Sequence, residues 1–557
     1  MKMSTIETVK VERKAPLKSS ERKVIFASSL GTVFEWYDFY LYGSLAAIIS
    51  HQFFSAVNET AAFIFALLAF AAGFAIRPFG ALFFGRFGDT IGRKHTFLVT
   101  IILMGVSTFA VGLLPGYATI GIAAPILLVV LRLIQGLAMG GEYGGAVIYV
   151  AEHAPDGKRG FHTAWIQTTA TLGFLLSLAV ILIVRTWLGE EAFASWGWRI
   201  PFLFSIFLLG ISVWIRMSLN ESPIFLKMKA EGKASKAPIK DTFSSKENVK
   251  YILIALFGVV AGQSVIWYSG QFYALFFLTQ TLKVDPVTAS LFIGVALIVG
   301  TPIILICGWL SDKIGRKPIL VAGFFLSAVL YMPLFGQLTA AVNPKLAAAI
   351  ESSPVVVVAD PNTCSFQFNP VGTSAFTSSC DIAKSFLAKA SVNYTNEPAA
   401  AGEVAHVLIG KDRIEGFDAA GMDAQTVKAR TTEFGSSLAG KLEQVGYPTK
   451  ADPAEINYVK TLTVLFCLVV LVAMVYGPLA ATLVELFPTK VRYTAMSLPY
   501  HLGNGWFGGF LPTMAFAMVA ATGNIYFGLW YPIAIATISL VVAIFFLPET
   551  SKRSLND

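Results

Sequence analysis

Long apolar stretches recur along the whole chain, separated by short polar segments. Residues 462–484 contain no charged side chain, and residues 63–84 contain only Arg77. About 18–25 apolar residues are enough to cross a bilayer as a helix, and at that length in lipid only a helix satisfies its own backbone. The pattern predicts an all-α membrane protein with twelve transmembrane helices, at about residues 24–50, 61–85, 95–115, 122–150, 162–186, 198–218, 251–281, 288–310, 318–338, 460–487, 494–521 and 525–547.

Composition supports this interpretation. The 557 residues are 55% hydrophobic and 14% charged, whereas soluble domains carry about 25% charged residues. Long runs without alternation also exclude a porin-type barrel, whose strands are short and alternate in hydrophobicity. We therefore expect a multi-pass protein whose surroundings are the lipid bilayer.

The formal charge of +8 does not indicate nucleic-acid binding, because the basic residues lie in short loops on one side of the predicted helices. Loops on the other side, near 51–60, 116–121 and 522–524, contain no Lys or Arg. This asymmetry follows the positive-inside rule. It predicts a bacterial inner-membrane protein with an uncleaved cytoplasmic tail at 1–23 and a second cytoplasmic tail at 548–557.

The two halves of the chain resemble each other. GRFGDTIGRK begins at Gly85, and GWLSDKIGRK begins 223 residues later, at Gly308. A second repeated set, Tyr143, Glu152, Pro155 and Arg159, recurs with an offset of 333 residues. The larger offset indicates an insertion of about 110 residues between helices nine and ten. The predicted parts are one six-helix bundle at 24–218, a cytoplasmic linker at 219–250, a second bundle at 251–338 and 460–547, and an insert at 339–459.

The insert is predicted to be a small extracytoplasmic α+β domain. VVVVAD and VAHVLIG are typical of strands, whereas 381–390 and 423–444 have helical patterns. The insert carries nine Lys and Arg and thirteen Asp and Glu, a net charge of −4. Cys364 and Cys380 both lie in it, and an oxidising compartment would allow them to pair. The alternative is two free or buried thiols.

The inside loops of the form G-x-x-x-D-x-x-G-R-K resemble those of the major facilitator superfamily. A finer resemblance, to the metabolite:proton symporters, is carried by GTVFEWYDFYLYG (31–43), IRPFGALFFGRFGD (76–89), RLIQGLAMGGEYGGA (132–146) and NESPIF (220–225). That family includes carriers for proline/betaine, shikimate, citrate and 2-oxoglutarate. The resemblance implies alternating access between two bundles.

The resemblance also implies a cytoplasmic latch that gates access. The residues that match it are Asp89, Arg93, Asp312 and Arg316. Thr90 departs from the family pattern, which usually has a basic residue there. The repeated helix ends suggest further gate or hinge contacts by Glu152, Arg159, Glu485 and Arg492. In the alternative interpretation, the basic residues serve only as topology signals.

Charged residues inside the predicted helices are candidates for transport chemistry. A charge at the centre of a membrane helix costs at least ~2.5–3.5 kcal/mol and is normally functional. We expect the proton-coupling acids to be among Glu35, Asp38 and Glu142. Arg77 or Arg132 would bind a carboxylate of the solute, because arginine donates bidentate hydrogen bonds to carboxylates. In the alternative, these charges pair with one another and only fix helix packing.

Further candidates for contact with the solute lie on the same face of a predicted helix as these charged residues, or are polar residues in the second half. They are Tyr42, Gln135, Gln263, Tyr268, Gln271 and Asn504.

The sequence thus predicts a proton-coupled secondary transporter that imports a small organic solute, most simply a mono- or dicarboxylate. Two alternatives stay open: an importer of zwitterions such as proline or betaine, and a solute sensor with a transporter-like body. Nucleotide-binding motifs, metal-ligand spacings and nucleophile–base sets are absent from the sequence. We therefore expect no enzyme activity, no metal, no cofactor other than the coupling proton, and no obligate protein partner.

Overall fold

The computed structural model describes residues 19–57, 59–90, 93–141, 143–155, 157–217, 238–365, 377–488 and 492–553. Helices of the first half are α1 (Ser19–Ser44), α2 (Ala46–Phe53), α3 (Glu59–Ala75), α4 (Arg77–Thr90), α5 (Arg93–Leu113), α6 (Tyr117–Ile120), α7 (Ala123–Met139), α8 (Tyr143–His153), α9 (Arg159–Leu188), α10 (Glu190–Ala192) and α11 (Arg199–Met217).

Helices of the second half are α12 (Pro238–Phe243), α13 (Lys246–Ala255), α14 (Ala261–Tyr268), α15 (Ala274–Phe276), α16 (Pro286–Ile314), α17 (Arg316–Val342), α18 (Pro344–Ser352), α19 (Ser379–Lys389), α20 (Ala424–Gln444), α21 (Tyr458–Tyr476), α22 (Leu479–Leu486), α23 (Arg492–Leu502), α24 (Leu511–Thr522) and α25 (Trp530–Phe546). π-helical turns occur at Phe193–Gly197, Leu256–Val260, Ser269–Tyr273, Phe277–Thr281 and Gly503–Gly508, and a 3₁₀ turn at Phe527–Leu529.

Several predicted spans are built from more than one helical piece. Within the described residues, eight helices are long and apolar enough to cross a membrane, or nine if the bent pair Glu190–Gly197 and Arg199–Trp214 is one span. Ala123–Met139 is apolar but shorter, because the chain breaks at Gly140 and Gly141 before α8 begins. The predicted span at 24–50 likewise contains α1 and α2.

The helices form two groups that pack against each other. In the first half, α1 packs against α9 and α11, and α7 packs against α3 and α5. In the second half, α17 packs against α21 and α25. The groups meet where α9 contacts α16, α4 contacts α23, and α3 contacts α24. Residues at these contacts therefore belong to both halves of the molecule.

Residues 343–457, which we call the α+β segment, form a four-stranded sheet with α18, α19 and α20. The strands are β1 (Val355–Ala359), β2 (Tyr394–Pro398), β3 (His406–Ile409) and β4 (Asp412–Glu415), in the order β2-β1-β3-β4. β1 pairs parallel with β2 and antiparallel with β3, and β3 pairs antiparallel with β4. Burial alternates along β1, as expected for a strand with one face on a core.

The α+β segment begins later than the sequence predicted. α17 continues to Val342, four residues beyond the expected end at 338. Asn343 then ends the helix, and its side chain accepts a hydrogen bond from the backbone N–H of Leu346 at the start of α18. The apolar residues that follow 338 favour helix, and the Asn–Pro pair at 343 and 344 supplies the break.

Backbone hydrogen bonds attach the α+β segment to loops of the second half. Tyr394 N–H donates to Gly523 O at 3.2 Å, and Ala451 N–H donates to Lys283 O at 3.2 Å. Asn457 N–H donates to Ala341 O at 2.8 Å, which joins the two ends of the segment. These hydrogen bonds fix the segment to the second half, and its helix α19 also packs against α3 of the first half.

A disulfide joins Cys364 to Cys380, with the Cα atoms 5.3 Å apart. Cys364 follows β1, and Cys380 lies in the first turn of α19, so the bond ties this helix to the sheet. Closing a loop of about 15 residues contributes about 3 kcal/mol in the chain-entropy model.

We expect the double variant Cys364→Ser/Cys380→Ser to lower the free energy of unfolding of the α+β segment by about 3 kcal/mol. Limited proteolysis across a denaturant series, read at cleavage sites within 343–457, measures this change. The control is Cys467→Ala, which removes a free thiol in α21. Equal protection in all three proteins would contradict the prediction.

Candidate functional site

Arg77 lies inside the first group of helices, at the point where α3 ends and α4 begins. The guanidinium carbon is 3.9 Å from the centroid of the Phe74 ring and 4.2 Å from that of Phe39. Nη2 donates to the sulfur of Met139 at 2.8 Å. The side chain is 1% exposed, and no carboxylate in the described part of the chain forms an ion pair with it. Aromatic rings and a sulfur atom thus provide the contacts that stabilise the positive charge of Arg77.

Arg132, in α7, has similar surroundings. Its guanidinium carbon is 4.4 Å from the Phe39 centroid and 4.6 Å from that of Tyr42. Nη1 donates to Gln135 Oε1 at 2.5 Å, while Nε and Nη2 have no hydrogen-bond partner among the described residues. Both arginines therefore contact the ring of Phe39.

The close crossing of α7 with α3 and α4 brings the two arginines together. A Cβ atom at Gly136 would lie 1.7 Å from Gly73 O, and one at Gly140 would lie 2.2 Å from Arg77 O. Only glycine permits backbones to approach so closely.

Two buried cations that have no anionic partner among the described residues are costly, because buried charges are normally paired. Cation–π contacts offset part of this cost. The arrangement is complementary to an anion that is small enough to enter between the helices.

The predicted coupling acid Asp38 points toward α11, whereas Phe39 and Tyr42 of the same helix contact Arg132. Its Oδ1 accepts a hydrogen bond from Ser205 Oγ, in α11, at 2.6 Å, and the residue is 5% exposed. Asp38 forms no ion pair with either arginine in the described part of the chain. Glu35 is also buried, at 6% exposure, whereas Glu142 lies outside the described residues.

The second half supplies the opposite wall of the site. Trp267 stacks on Tyr40, with ring centroids 5.3 Å apart, and Tyr268 meets Phe74 edge-on at 5.2 Å. Tyr500 stacks on Tyr143 at 3.6 Å. These contacts place aromatic residues of both halves around the arginines.

Several polar groups on this wall are buried without a partner among the described residues. They are both amide atoms of Gln263 and Gln271, Trp267 Nε1 and both ring nitrogens of His501. Asn504 differs, because its Nδ2 donates to Tyr500 O at 3.0 Å. Its amide nitrogen is therefore already used within its own helix.

Some residues around the site were not predicted from the sequence. Met139, Ser205 and Thr108, whose hydroxyl accepts from Gln135 Nε2 at 3.0 Å, are common residue types in apolar surroundings and give no signal. Tyr143 and Tyr476 did have a signal in the sequence, since they occupy equivalent places in the two halves.

A second site of interest is a group of four charged residues, Arg159, Asp312, Arg316 and Glu485, which we call the four-charge cluster. Arg316 Nη1 is 2.7 Å from Asp312 Oδ1, and its Nη2 is 3.2 Å from Glu485 Oε1. Arg159 Nη1, from the first half, is 3.6 Å from Glu485 Oε1. The cluster lies at the end of the bundles opposite the α+β segment, since α17 begins at the cluster and ends at that segment.

Asp312 and two glycines hold the halves together at this cluster. The carboxylate of Asp312 accepts from the backbone N–H groups of Gly160 and Phe161 at 2.8 and 2.9 Å. These N–H groups are at the N-terminus of α9, where a negative charge is favoured. A Cβ atom at Gly308 would lie 2.7 Å from Gly160 O. Backbone thus packs directly on backbone between α9 and α16.

The C-terminal residues also join the cluster. Thr550 Oγ1 donates to Glu485 Oε2 at 2.8 Å. Glu549 accepts from the backbone N–H groups of Arg316 and Lys317 at 2.9 and 3.1 Å. Partial burial raises the pKa of Glu549, but the backbone hydrogen bonds from Arg316 and Ser551 outweigh it, so its pKa is lower than usual. Glu549 therefore stays ionised at the positive N-terminus of α17.

The remaining predicted gate residues are less informative. The side chains of Asp89, Arg93 and Glu152 lie outside the described residues. The contacts of the first copy of the latch are therefore not described. Arg492 Nε donates to Phe487 O at 3.0 Å.

The fold consists of two groups of apolar helices that surround a buried polar site between them. The sequence model of the sugar (and other) transporter family matches residues 23–358 and 444–557, and the chain belongs to this family of the major facilitator superfamily. Residues 359–443, within the α+β segment, are not matched.

Relatives of this chain are bacterial proteins. A proline/betaine transporter of Salmonella typhimurium is 38% identical over 324 residues, 56% of this chain and 64% of that protein, so the match spans less than two thirds of it. The inner membrane metabolite transport protein YhjE of Escherichia coli is 36% identical over 351 residues, 62% of this chain and 79% of that protein. The shikimate transporter of Escherichia coli is 36% identical over 328 residues, 58% of this chain and 74% of that protein.

Solved structures share the architecture. The partially occluded inward-open xylose transporter XylE of E. coli has a TM-score of 0.60 at 15% identity, covering 96% of this chain and 99% of that chain. A D-xylose-proton symporter has a TM-score of 0.59 at 16% identity, with 96% and 99% coverage. These similarities support the predicted arrangement of twelve helices in two bundles.

Proposed function

We propose that the protein is a proton-coupled importer of a small organic carboxylate. The observation that carries this proposal is the pair of buried arginines, Arg77 and Arg132, which face one aromatic ring without an acidic partner among the described residues. A carboxylate bound between them would receive bidentate, charge-assisted hydrogen bonds in a buried site. Its charge would offset the cost of burying the two cations.

Proton coupling is supported by Asp38. A carboxylate buried in a membrane helix, with a serine hydroxyl as its hydrogen-bond donor, is costly when ionised. Taking up a proton removes that cost, so protonation and burial are coupled. The D-xylose-proton symporter, whose fold this chain shares, is named for the same coupling ion.

Replacing Asp38 with asparagine should abolish accumulation driven by a pH gradient while leaving solute exchange between the two sides intact. Asparagine still accepts the hydrogen bond from Ser205, but it carries no transferable proton. Uptake and counterflow in proteoliposomes separate the two activities. Glu191→Gln, at an exposed position in α10, is the control. Accumulation by Asp38→Asn at the wild-type level would exclude the coupling role.

The four-charge cluster supports an access gate. Arg159, Gly160 and Phe161 belong to the first bundle, whereas Asp312, Arg316 and Glu485 belong to the second, so the contacts among them must break for this end to open. We place this end in the cytoplasm together with both termini, as the distribution of basic loops indicates. The α+β segment then lies outside. An inner-membrane location is supported by the Escherichia coli relative YhjE, which is an inner membrane metabolite transport protein.

A zwitterionic solute is the second candidate, because the proline/betaine transporter is among the relatives. Its carboxylate would meet the same arginines. Its quaternary ammonium group would, however, bring a third positive charge close to the two buried guanidinium groups, which a carboxylate without a cation avoids. The geometry therefore favours the carboxylate.

The test is uptake into proteoliposomes with an imposed inside-alkaline pH gradient, using radiolabelled carboxylates and betaines, with and without an uncoupler. We expect accumulation of carboxylates that the uncoupler abolishes. Accumulation of betaines alone would favour the second candidate. Solute binding without any transport would favour a sensor and contradict the proposal.

A further inference from the structure

The α+β segment is attached to the second bundle at the end of the molecule opposite the four-charge cluster, which we call the segment end. Both ends of the segment continue into helices of that bundle, α17 and α21. Just before α16, Gln280 O accepts a hydrogen bond from Ser391 Oγ at 3.2 Å. After α24, Ile525 N–H donates to Asn393 Oδ1 at 2.8 Å. Covalent connections and hydrogen bonds thus hold the segment to this bundle.

One helix of the segment, α19, also reaches the first bundle. It packs against α3 of the first bundle and against α24 of the second, so it lies across the seam between them. Aromatic rings close the same seam, since Phe63 of α3 meets Phe516 of α24 edge-on at 5.3 Å and Phe276 at 5.7 Å. For the segment end to open, α3 must separate from α24, and α19 cannot then keep both contacts.

The first turn of α19 is fixed to the rest of the segment. The disulfide joins Cys380 to Cys364, which follows β1. The Asp381 carboxylate accepts hydrogen bonds from Ser365 N–H at 2.8 Å and from Ser365 Oγ at 2.6 Å. The helix also packs against β1 and β3. When the bundles separate, α19 therefore moves with the segment, and the segment moves with the second bundle.

From these contacts we infer that the α+β segment is a clasp that holds the segment end closed. The clasp travels with the second bundle, and its helix α19 contacts α3 only while the two bundles meet at this end. Rocking of one bundle against the other must break one of the two attachments of the segment. The attachment to the second bundle is covalent at two points, whereas the attachment to the first is one helix packed on another. The contact with α3 is therefore the one that breaks.

The clasp changes the balance between the open and closed states of the segment end. A contact that exists in only one state of a protein shifts the equilibrium toward that state. Because α19 meets α3 only when the segment end is closed, the clasp lowers the fraction of molecules that are open there. This role depends on alternation between the two bundles, but on no particular solute or coupling ion.

Linking α19 covalently to each bundle in turn tests this inference. The background protein lacks both free thiols (Cys307→Ala, Cys467→Ala). In it, Ile382→Cys of α19 is joined by a bis-methanethiosulfonate linker either to Ala61→Cys, in the first turn of α3, or to Ala521→Cys, in the last turn of α24. Hydrogen exchange of each protein in nanodiscs, without solute, then reports opening at both ends.

Linkage to α3 should prevent the segment end from opening. Exchange in the Phe277–Thr281 turn, which follows the ring that meets Phe63, should slow by ~10-fold or more. Exchange at residues 159–164, in the four-charge cluster, should become faster, because molecules that cannot open at one end populate the state that is open at the other. A purely local effect of the linker would not reach that distant end. Linkage to α24 is the matched control and should change neither rate, since α19 and α24 move together.

The double variant Cys364→Ser/Cys380→Ser gives the opposite perturbation, because α19 loses its covalent tie to the sheet. We expect faster exchange in the Phe277–Thr281 turn and slower exchange at residues 159–164 than in the wild type. Unchanged or reversed rates in this variant would contradict the clasp.

Three results with the linked proteins would also overturn the inference. They are equal exchange rates in the α3-linked and unlinked proteins, a slowing by linkage to α24 as large as that by linkage to α3, and failure of linkers of any length to join α19 to α3. The last result would show that the contact itself is absent. None of these measurements involves a solute or a pH gradient, so each of these results would leave the proposed function standing.

Discussion

Replacing Arg132 with glutamine should reduce carboxylate uptake by ~100-fold or more and make the empty protein more stable. The loss of uptake follows from the loss of a charge-assisted pair in a buried site, which costs about 3–5 kcal/mol when one partner is removed. The gain in stability has the opposite cause. Without solute, Arg132 is a buried cation with no acidic partner among the described residues, so its removal relieves a desolvation cost.

Uptake in proteoliposomes and thermal unfolding of the purified protein without solute measure the two effects together. Arg132→Lys keeps the charge but not the planar fork, so we expect it to lose most uptake without the gain in stability. Arg185→Gln is the matched control, because Arg185 is similarly buried but pairs with Glu190 at 3.3 Å. That variant should lose stability and keep its solute preference. Normal uptake by Arg132→Gln would refute the assigned role.

Replacing Gly308 with valine should abolish transport by preventing closure of the end that carries the four-charge cluster. A Cβ atom there would lie 2.6 Å from Ala164 Cβ and 2.7 Å from Gly160 O. One of these contacts is with backbone, which cannot move away as a flexible side chain can. The variant should therefore stay open at this end, bind solute, and fail in both uptake and counterflow.

Spin labels at Lys158→Cys and Lys313→Cys, both exposed positions beside the four-charge cluster, report the opening as a longer distance in the Gly308→Val background. Gly336→Val is the control, since a Cβ atom at that glycine meets nothing within 4 Å. If Gly308→Val shows the wild-type distance and wild-type uptake, the packing of α9 on α16 does not control access.

The helical body could be predicted because its signals are long and repeated. Every predicted span contains helix in the described part of the chain. The break in the span at 122–150 was harder to place, since Gly140 and Gly141 also suit tight helix packing. The π-helical turns, such as Ser269–Tyr273, have no signature in residue spacing. They depend on how each helix packs against its neighbours.

The strands show the same contrast between strong and weak patterns. β1 and β3 are central and apolar, so the sequence predicts them. β2 and β4 lie at the two edges of the sheet, and most of their residues are exposed. Edge strands need apolar residues on few positions, so polar segments such as YTNEP and DRIE resemble loops.

In the central site, the sequence indicated which residues carry charge but not which of them meet. Helix spacing suggested that Asp38 and Tyr42 share a face, yet Asp38 bonds to Ser205 while Tyr42 lies against Arg132. Which residues Asp38 and Tyr42 contact depends on how α1 is rotated about its axis between its neighbours. That rotation is set by tertiary contacts that no single sequence displays.

The hydrogen bond between Asn457 N–H and Ala341 O also bears on how the protein is made. The bond joins the end of α17 to the residue just before α21. These two helices are neighbours in the structure, although more than 100 residues separate them in the sequence. At synthesis rates of about 5–20 residues per second, α17 must wait roughly ten seconds for its partner. During that interval, the first bundle is complete while the second lacks three of its predicted spans. The ribosome-bound chain therefore passes through a defined half-built state.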